Sequence, residues 1–343
     1  MKIKECVCFD DVLLEPQVSD ITSRDEIDLT TKLHGRFGFD YKLPIISSPM
    51  NTVTEAEMAI EMSRLGGLGI VHRYNSIDEQ VTMVKEITKV ASQNSESFGC
   101  AIGSVGDYLE RAKELNKHGV DVFCIDVAHG HHSLTERALK TLRDYFGNQA
   151  VLIAGNIATA QAAYDLEKWG ADALRVGVGG GSVCSTRVAT GHGIPTLQSI
   201  IDCAEATKHA TIIADGGIRN SGDAVKALAA GADWIMLGSV LAGTSESPGC
   251  FDAAGTKPYI GMASATAQQE WRKSEPGYVE GVASRVHAKG HIAGHLSRFA
   301  AGIRSGLSYS GARNLREFRT KAVFVKQSQA GLRESHPHHP GMR

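Results

Sequence analysis

The sequence lacks the features that would assign it to a specialised class. Its charges nearly cancel: 36 Lys and Arg stand against 38 Asp and Glu, with a formal net charge of -2 and a pI near 6.7. That balance removes any global electrostatic reason to expect nucleic acid or an anionic membrane as partner, although a local patch can still hold an anionic metabolite. No apolar run approaches the roughly eighteen residues that would span a bilayer. The first residues show no basic start, apolar core and small-residue cleavage site, so a cytoplasmic protein is expected. The seven cysteines, Cys6, Cys8, Cys100, Cys124, Cys184, Cys203 and Cys250, are odd in number, scattered and never spaced as CxxC. This argues against both a disulfide framework and a structural zinc site. Cys100 in GCAIG and Cys124 in VFCID read as small core residues. Cys184 differs, because its neighbours are glycine, serine and threonine.

What is present is a rhythm. Strand-length apolar runs recur at Leu43–Ser47, Leu68–His72, Cys100–Gly103, Val122–Asp126, Ala150–Ala154, Ala173–Val176, Thr211–Asp215 and Trp234–Leu237. Between most of them lie helical patterns such as TEAEMAIEMSRLG, GDYLERAKELNKHG and SGDAVKALAAG, each closing on a Gly that suits a left-handed C-cap. Eight near-continuous apolar strands alternating with amphipathic helices predict an α/β fold. A parallel (β/α)8 TIM barrel is favoured over a doubly wound open sheet. The whole of residues 1–343 then forms one catalytic domain, with an N-terminal cover before Leu43 and a C-terminal active-site flap extension at about 259–290.

In such a barrel chemistry sits on the loops after the strand C-termini. The notable motifs all follow strands: SPMNTV, DVAHGHH, GNIAT, GVGGGSVCSTR, DGGIRNSGD and the Gly-Ser after WIML. DGGIRNSGD and MLGSVLAG together have the layout of a phosphate cup, with N–H donors at Gly217, Gly238 and Ser239 after the seventh and eighth strands. Asp215 then stands beside the phosphate with its carboxylate free for ribose hydroxyls. Ser182 can add to the cup, and Cys184 would lie above the sugar. A cysteine there is useful as a nucleophile if N–H dipoles and cations lower its pKa, and Arg175 and Arg187 are the candidate cations. By itself such a cysteine could equally be a bystander. His129, His131 and His132 invite a metal assignment, but lack a matching carboxylate pattern and read as solvated loop residues. The terminal ESHPHHPGMR reads first as a polar tail.

These residues also resemble a known family. FDDVLLEP, SSPMNTVTEAEMA, GGLGIVHR, IDVAHGH, AGNIATA, VGVGGGSVCSTR, IADGGIRNSGD, MLGSVLAGTSESPG, YIGMAS, GIRSGLSYSGA and FRTKAVFV occur in an order similar to the catalytic barrel of the inosine-5'-monophosphate dehydrogenase and GMP reductase family, over nearly the whole chain. The resemblance implies that Cys184 is the nucleophile adding to purine C2, before hydride passes between C2 and a nicotinamide cofactor, with Thr186 beside it. It implies phosphate contacts from Ser182, Gly217, Gly238, Ser239 and Tyr259, and a ribose contact from Asp215. Met262, Ala263 and Glu280 would hold the purine edge, and Ser48 and Met50 would make further nucleotide contacts. Asp126, Asn156, Arg175 and Gly177 fall where the family holds its nicotinamide dinucleotide.

Two departures bear on which reaction is implied. The regulatory (CBS) module that many dehydrogenases insert between the second and third strands is missing. The segment from Gly261 to Gly290 is short, reading AQQEWRKSEPGY where dehydrogenases carry an Arg-Tyr pair that activates water; Arg272 is a loose substitute. Asn51 also replaces the usual Asp after SPM. Those features resemble GMP reductase, but GMASA puts Ala265 where reductases carry a glutamate. The ending GLRESHPH resembles the dehydrogenase C-terminus. There Glu334, Ser335 and His336 of one subunit would complete a potassium site begun by carbonyls of Gly179, Gly181 and Cys184 on a neighbour, which implies a homo-oligomer, by analogy a tetramer. The reading is an IMP dehydrogenase-like enzyme turning IMP, NAD+ and water into XMP and NADH, with Thr186 and Glu280 as proton relay. The alternatives are NADPH-dependent reduction of GMP to IMP, and a catalytically silent nucleotide-binding regulator.

Overall fold

Eight short apolar runs pair as parallel strands because each is followed by a helix that returns the chain to the same end of the sheet. The strands are β1 (Ile45–Ser47), β2 (Leu68–Val71), β3 (Phe98–Ile102), β4 (Val122–Asp126), β5 (Val151–Ile157), β6 (Ala173–Val176), β7 (Thr211–Asp215) and β8 (Trp234–Leu237). They close into a barrel through the β8–β1 pair, in which Ile235 sits opposite Ile45. The computed structural model describes residues 3–33, 40–91, 98–272 and 277–335, with the backbone alone at residues 91 and 270–272. The expected (β/α)8 barrel is therefore the observed fold. β5 runs past its expected end at Ala154 to include Gly155, Asn156 and Ile157, because Asn156 N–H donates to the Val127 carbonyl and keeps that segment in the wall.

Helices α1 (Ala56–Arg64), α2 (Ile77–Ala91), α3 (Tyr108–Lys117), α4 (Ser133–Phe146) and α5 (Ala160–Lys168) alternate with the strands. They are followed by the short α6 (Thr186–Thr190), then α7 (Thr196–Ala206) and α8 (Ser221–Ala229). Three begin on side chains that take a free N–H of the first turn: Thr159 at α5, Asn220 at α8 and the His132 imidazole at α4. One apolar layer joins Ile45, Phe123, Leu152, Leu174 and Ile235 on the outer barrel face to Met58, Leu139, Leu166, Leu197 and Leu228 on the helices.

The inner face alternates with a period of two. Ile46, Cys124, Ile153, Ala173, Ile213 and Met236 form a separate buried cluster inside the barrel. At its N-terminal end the cluster is closed by the paired segments Thr31–Lys32 and Asp40–Tyr41: Tyr41 meets Trp234 edge-on at 4.8 Å, and the indole N–H donates to the Lys32 carbonyl at 3.1 Å. One step of two further along each strand lie Ser48, Asp126, Gly155, Arg175, Asp215 and Gly238, so the same alternation that fills the barrel delivers polar groups to its C-terminal mouth.

After β8 an antiparallel hairpin pairs Thr256–Ile260 with Ala283–His287, and α9 (Ala265–Arg272) lies between its strands in sequence. Then come α10 (Ile292–Tyr309), α11 (Leu315–Lys321), a strand Phe324–Lys326 paired with Val12–Leu14, and α12 (Gln329–Glu334). Among the described residues, no helix is long and apolar enough to cross a membrane.

Candidate active site

The mouth of the barrel opens into a cavity of about 580 Å³, within the range usual for small-molecule sites. Its floor is electrostatic. Arg175, 5% exposed, donates to Asp126 at 2.5 Å and to Asp215 at 2.9 Å, so one guanidinium ties three strands together. Burial works against the Arg175 cation, but the charges of Asp215 and Asp126 outweigh it and hold its pKa above the usual arginine value. A side chain at Gly155 would collide with Arg175, its Cβ falling 2.5 Å from the Arg175 Cβ. Asn156 bridges the floor to the next loop, donating to the Gly177 carbonyl at 2.8 Å and to Asp215 at 2.7 Å. The Asp215 carboxylate is thus only partly free: one oxygen already serves Asn156 and Arg175.

Above the floor lies the glycine-rich loop. Gly177 has φ +145°, and a Cβ there would come 1.9 Å from the Asp215 carbonyl oxygen. Only glycine fits so close an approach of two backbones. Arg187 does not serve as a cation for the sulfur, because it spends its guanidinium on the carbonyls of Val178 and Ile194, at 3.1 and 2.6 Å, bracing the loop from behind. Arg175 is likewise committed to its two carboxylates. What stands beside the exposed Cys184 thiol is the Thr186 hydroxyl, at 3.1 Å.

The hairpin and the loop are stitched together. Val282 N–H donates to the Val183 carbonyl at 2.9 Å, and Ser185 N–H to the Glu280 carbonyl at 3.0 Å, so Cys184 pairs with Gly281 across a β-bridge. This seats Glu280 next to the sulfur-bearing turn. Met262, Ala263 and Glu280 line the same cavity as Cys184, as do Ser48 and Met50, which lie against Gly238. The buried Tyr259 hydroxyl lies 3.1 Å from Ser182 Oγ, and a Cβ on Gly238 would sit 3.2 Å from that hydroxyl oxygen. Ser182, Gly217, Gly238, Ser239 and Tyr259 therefore converge on one corner of the cavity. Burial, with the Asp215 charge, pushes the Tyr259 phenol up from its ordinary pKa and keeps it a neutral donor.

Some expected residues fall elsewhere. Gly179 and Gly181 line the cavity, but Glu334 and Ser335 end α12, where Ser335 Oγ bonds to the Gly331 carbonyl and α12 packs on the turn Phe9–Asp11. One chain does not bring those two groups together. His336 lies outside the described residues, and Arg272 is described by its backbone alone. The loop histidines have local duties: His131 pairs with Asp165 at 2.9 Å, and His132 Nδ1 accepts the Leu134 N–H. Cys100, Cys124 and Cys203 are buried, and burial pushes the Cys124 thiol up to about 11, which makes it inert. Asn51 carries a buried carboxamide oxygen with no partner among the described residues, and an aspartate there would bury an unpaired charge.

Several residues of the site escaped the sequence reading. Tyr278 reaches from the hairpin side to donate to the Ala189 carbonyl at 2.6 Å. Arg73 and Tyr74 line the far side of the cavity, with the guanidinium 5.0 Å from the ring centroid. Lys289 holds the Ser239 carbonyl. Arg73 closes the glycine-rich run GGLGIVHR, but neither Tyr278 nor Lys289 stands in a glycine-rich or acidic motif that marks it locally.

The IMP dehydrogenase / GMP reductase domain model matches residues 6–338. The chain belongs to this family. It is 35% identical to the inosine-5'-monophosphate dehydrogenase of Nitrosopumilus maritimus, covering 98% of this chain and 99% of that one. It is 37% identical to the inosine-5'-monophosphate dehydrogenase of Cryptosporidium parvum, over 96% and 94%. Among solved structures it matches GMP reductase from Trypanosoma brucei, a cysteine-to-alanine variant in complex with guanosine 5'-monophosphate, with a TM-score of 0.91 and 29% identity over 98% of both chains. Members of the family are oxidoreductases that use nicotinamide dinucleotides. The archaeal alignment runs over 474 positions against 343 residues here. β2 is followed by α2 and then β3, and among the described residues no regulatory module stands between them.

Proposed function

We propose that the protein is an IMP dehydrogenase: it binds IMP in the barrel mouth and oxidises it to XMP through a covalent bond between Cys184 and purine C2. The observation that carries this reading is the convergence, in one cavity, of an exposed thiol at 3.1 Å from the Thr186 hydroxyl with the phosphate corner of Ser182 and Tyr259. The phosphate would sit at Ser182, Gly217, Gly238, Ser239 and Tyr259, the ribose on the open oxygen of Asp215, and the base against Met262, Ala263 and Glu280, with Ser48 and Met50 as further nucleotide contacts. The thiol adds to the electron-poor C2 carbon.

A nicotinamide dinucleotide, when bound, supplies the acceptor for the C2 hydride. The residues fit such a group: past Asp126 the cavity continues to Val105, 54% exposed, and to the Arg73–Tyr74 pair, an apolar and cationic surface suited to flat heteroaromatic rings. Asp126, Asn156, Arg175 and Gly177, in the lining of the same cavity, would hold the dinucleotide. Water then attacks C2, the C2–S bond breaks, and Thr186 and Glu280 carry the water's proton away. Arg272 is the further candidate for activating that water.

A potassium ion and a homotetramer belong to the same reading. Backbone carbonyls of Gly179, Gly181 and Cys184 are hard oxygen donors of the kind a monovalent cation takes, and Glu334, Ser335 and His336 would reach it from a neighbouring subunit. Activity that rises with added potassium, together with a tetramer by light scattering, supports this; a fully active monomer counts against it.

GMP reductase is the second reading. The short segment between Gly261 and Gly290 favours it, as does the full-length match to a reductase structure. Purified protein offered IMP with NAD+, and separately GMP with NADPH, decides between them. Reduced-nicotinamide absorbance rising in the first mixture with no decline in the second supports the dehydrogenase. Decline in the second alone supports the reductase, and silence in both with tight nucleotide binding supports a non-catalytic regulator.

A further inference from the structure

The turn from Gly238 to Gly249 links β8 to the hairpin and carries part of the phosphate corner. Among the described residues, the N–H groups of Ser239 and Val240 donate to nothing. Five carbonyls of the same turn are taken by the side chains of two lysines. Lys289, half-buried, places its ammonium 2.5 Å from the Ser239 carbonyl and 3.4 Å from that of Val240. Lys257, 3% exposed, donates to the carbonyls of Thr244, Ser245 and Ser247 at 3.1, 3.1 and 2.6 Å. The two belong to opposite arms of the hairpin: Lys257 lies within the Thr256–Ile260 strand, and Lys289 just beyond Ala283–His287. Backbone bonds reinforce the joint, since Lys289 N–H donates to the Gly243 carbonyl and Ser245 N–H to the Gly290 carbonyl, both at 2.9 Å.

Among the described residues, neither ammonium has a carboxylate within ion-pair distance; Lys289 sits behind this turn on carbonyl oxygens alone, whereas Lys257 also lies 4.6 Å from the centroid of the Phe251 ring and shares a cleft with Glu57 and Glu246. A buried cation satisfied only by neutral dipoles is incompletely compensated, and its field favours an anion on the far side of the turn. The Lys289 ammonium also polarises the Ser239–Val240 peptide whose oxygen it holds, which strengthens the Val240 N–H as a donor.

We propose that Lys289 is a positioning residue for the nucleotide phosphate: it holds the Ser239 and Val240 carbonyls to the rear, so that the free N–H groups of Ser239 and Val240 face the phosphate with a positive charge behind them, while Lys257 braces the remainder of the turn. This rests on the reading that the Gly238–Ser239 corner is the phosphate site. It deepens that reading by tying phosphate affinity to the hairpin that also carries Tyr259 and Glu280.

The test is calorimetric titration of the full chain with IMP and with inosine, for wild type, Lys289→Met, Lys289→Gln and Lys289→Arg, alongside KM and kcat for IMP. Wild type should bind IMP well above inosine. Lys289→Met and Lys289→Gln should weaken IMP about tenfold while leaving inosine unchanged, the loss falling on KM rather than kcat, and Lys289→Arg should restore most of it. An IMP-to-inosine ratio in Lys289→Met equal to that of wild type overturns the proposal. So does a parallel loss for IMP and inosine, which marks a purely structural lysine. A wild-type protein that does not distinguish IMP from inosine refutes the phosphate reading itself.

Discussion

The two ends of the barrel interior are built from the same strands and the same alternation, yet they hold opposite chemistry. At the N-terminal end Trp234, Tyr41 and Leu33 pack as an apolar plug. At the C-terminal end, one or two steps along, Arg175 is wedged between Asp126 and Asp215 with Asn156 bridging to the glycine loop. The first end gains stability from area removed from water. The second buries charge at a desolvation cost, and what it yields is a fixed floor on which a ligand can be oriented. Above that floor the reactive segment is held by backbone bonds to the hairpin, so the thiol stays exposed while its surroundings are rigid.

That contrast can be broken from either side. The largest effect is expected for Cys184→Ala: turnover should fall at least about 10³-fold, with the melting temperature unchanged. Steady-state kinetics beside a thermal melt checks both halves, and a variant with near-normal turnover rules out the covalent route. Trp234→Ala should do the reverse. It empties the plug and should cost about 3–5 kcal/mol of stability by urea titration, with kcat of the folded fraction preserved. Loss of kcat without loss of stability would show that the two ends are not separable. Glu280→Gln keeps the shape of the purine edge but removes a proton acceptor, so kcat should drop about 10²-fold with nucleotide affinity changed far less. If affinity drops and kcat holds, Glu280 binds the base and moves no proton. Smallest is Tyr278→Phe, which deletes one hydrogen bond to the Ala189 carbonyl worth about 1 kcal/mol. A several-fold rise in hydrogen exchange of the 185–190 amides should report it, and unchanged exchange would mean the contact does not hold that segment.

The sequence was most readable in its apolar runs and in the polar residues that close them. Alternation through VFCID and TIIAD puts Cys124 and Ile213 in the barrel core and Asp126 and Asp215 at its mouth. Glycine signals were also legible, since Gly177 sits where no side chain fits. Roles set by contacts distant in sequence were not. Arg175 looked like a cation for the thiol, and only folding shows it locked between carboxylates 49 and 40 positions away. Lys289 and Tyr278 carry no local mark, because their partners are backbone carbonyls, which every residue possesses. The neighbouring subunit's contribution to a cation site is beyond what one chain can display.

The central claim is that Cys184 bonds to purine C2 during turnover. Its most direct test is rapid acid quench of the protein with IMP and NAD+, followed by peptide mass spectrometry of the segment around Gly177–Arg187. The account predicts a nucleotide adduct on Cys184 that appears only when both ligands are present and is missing in Cys184→Ala. Steady turnover with Cys184 unmodified at every quench time would contradict it.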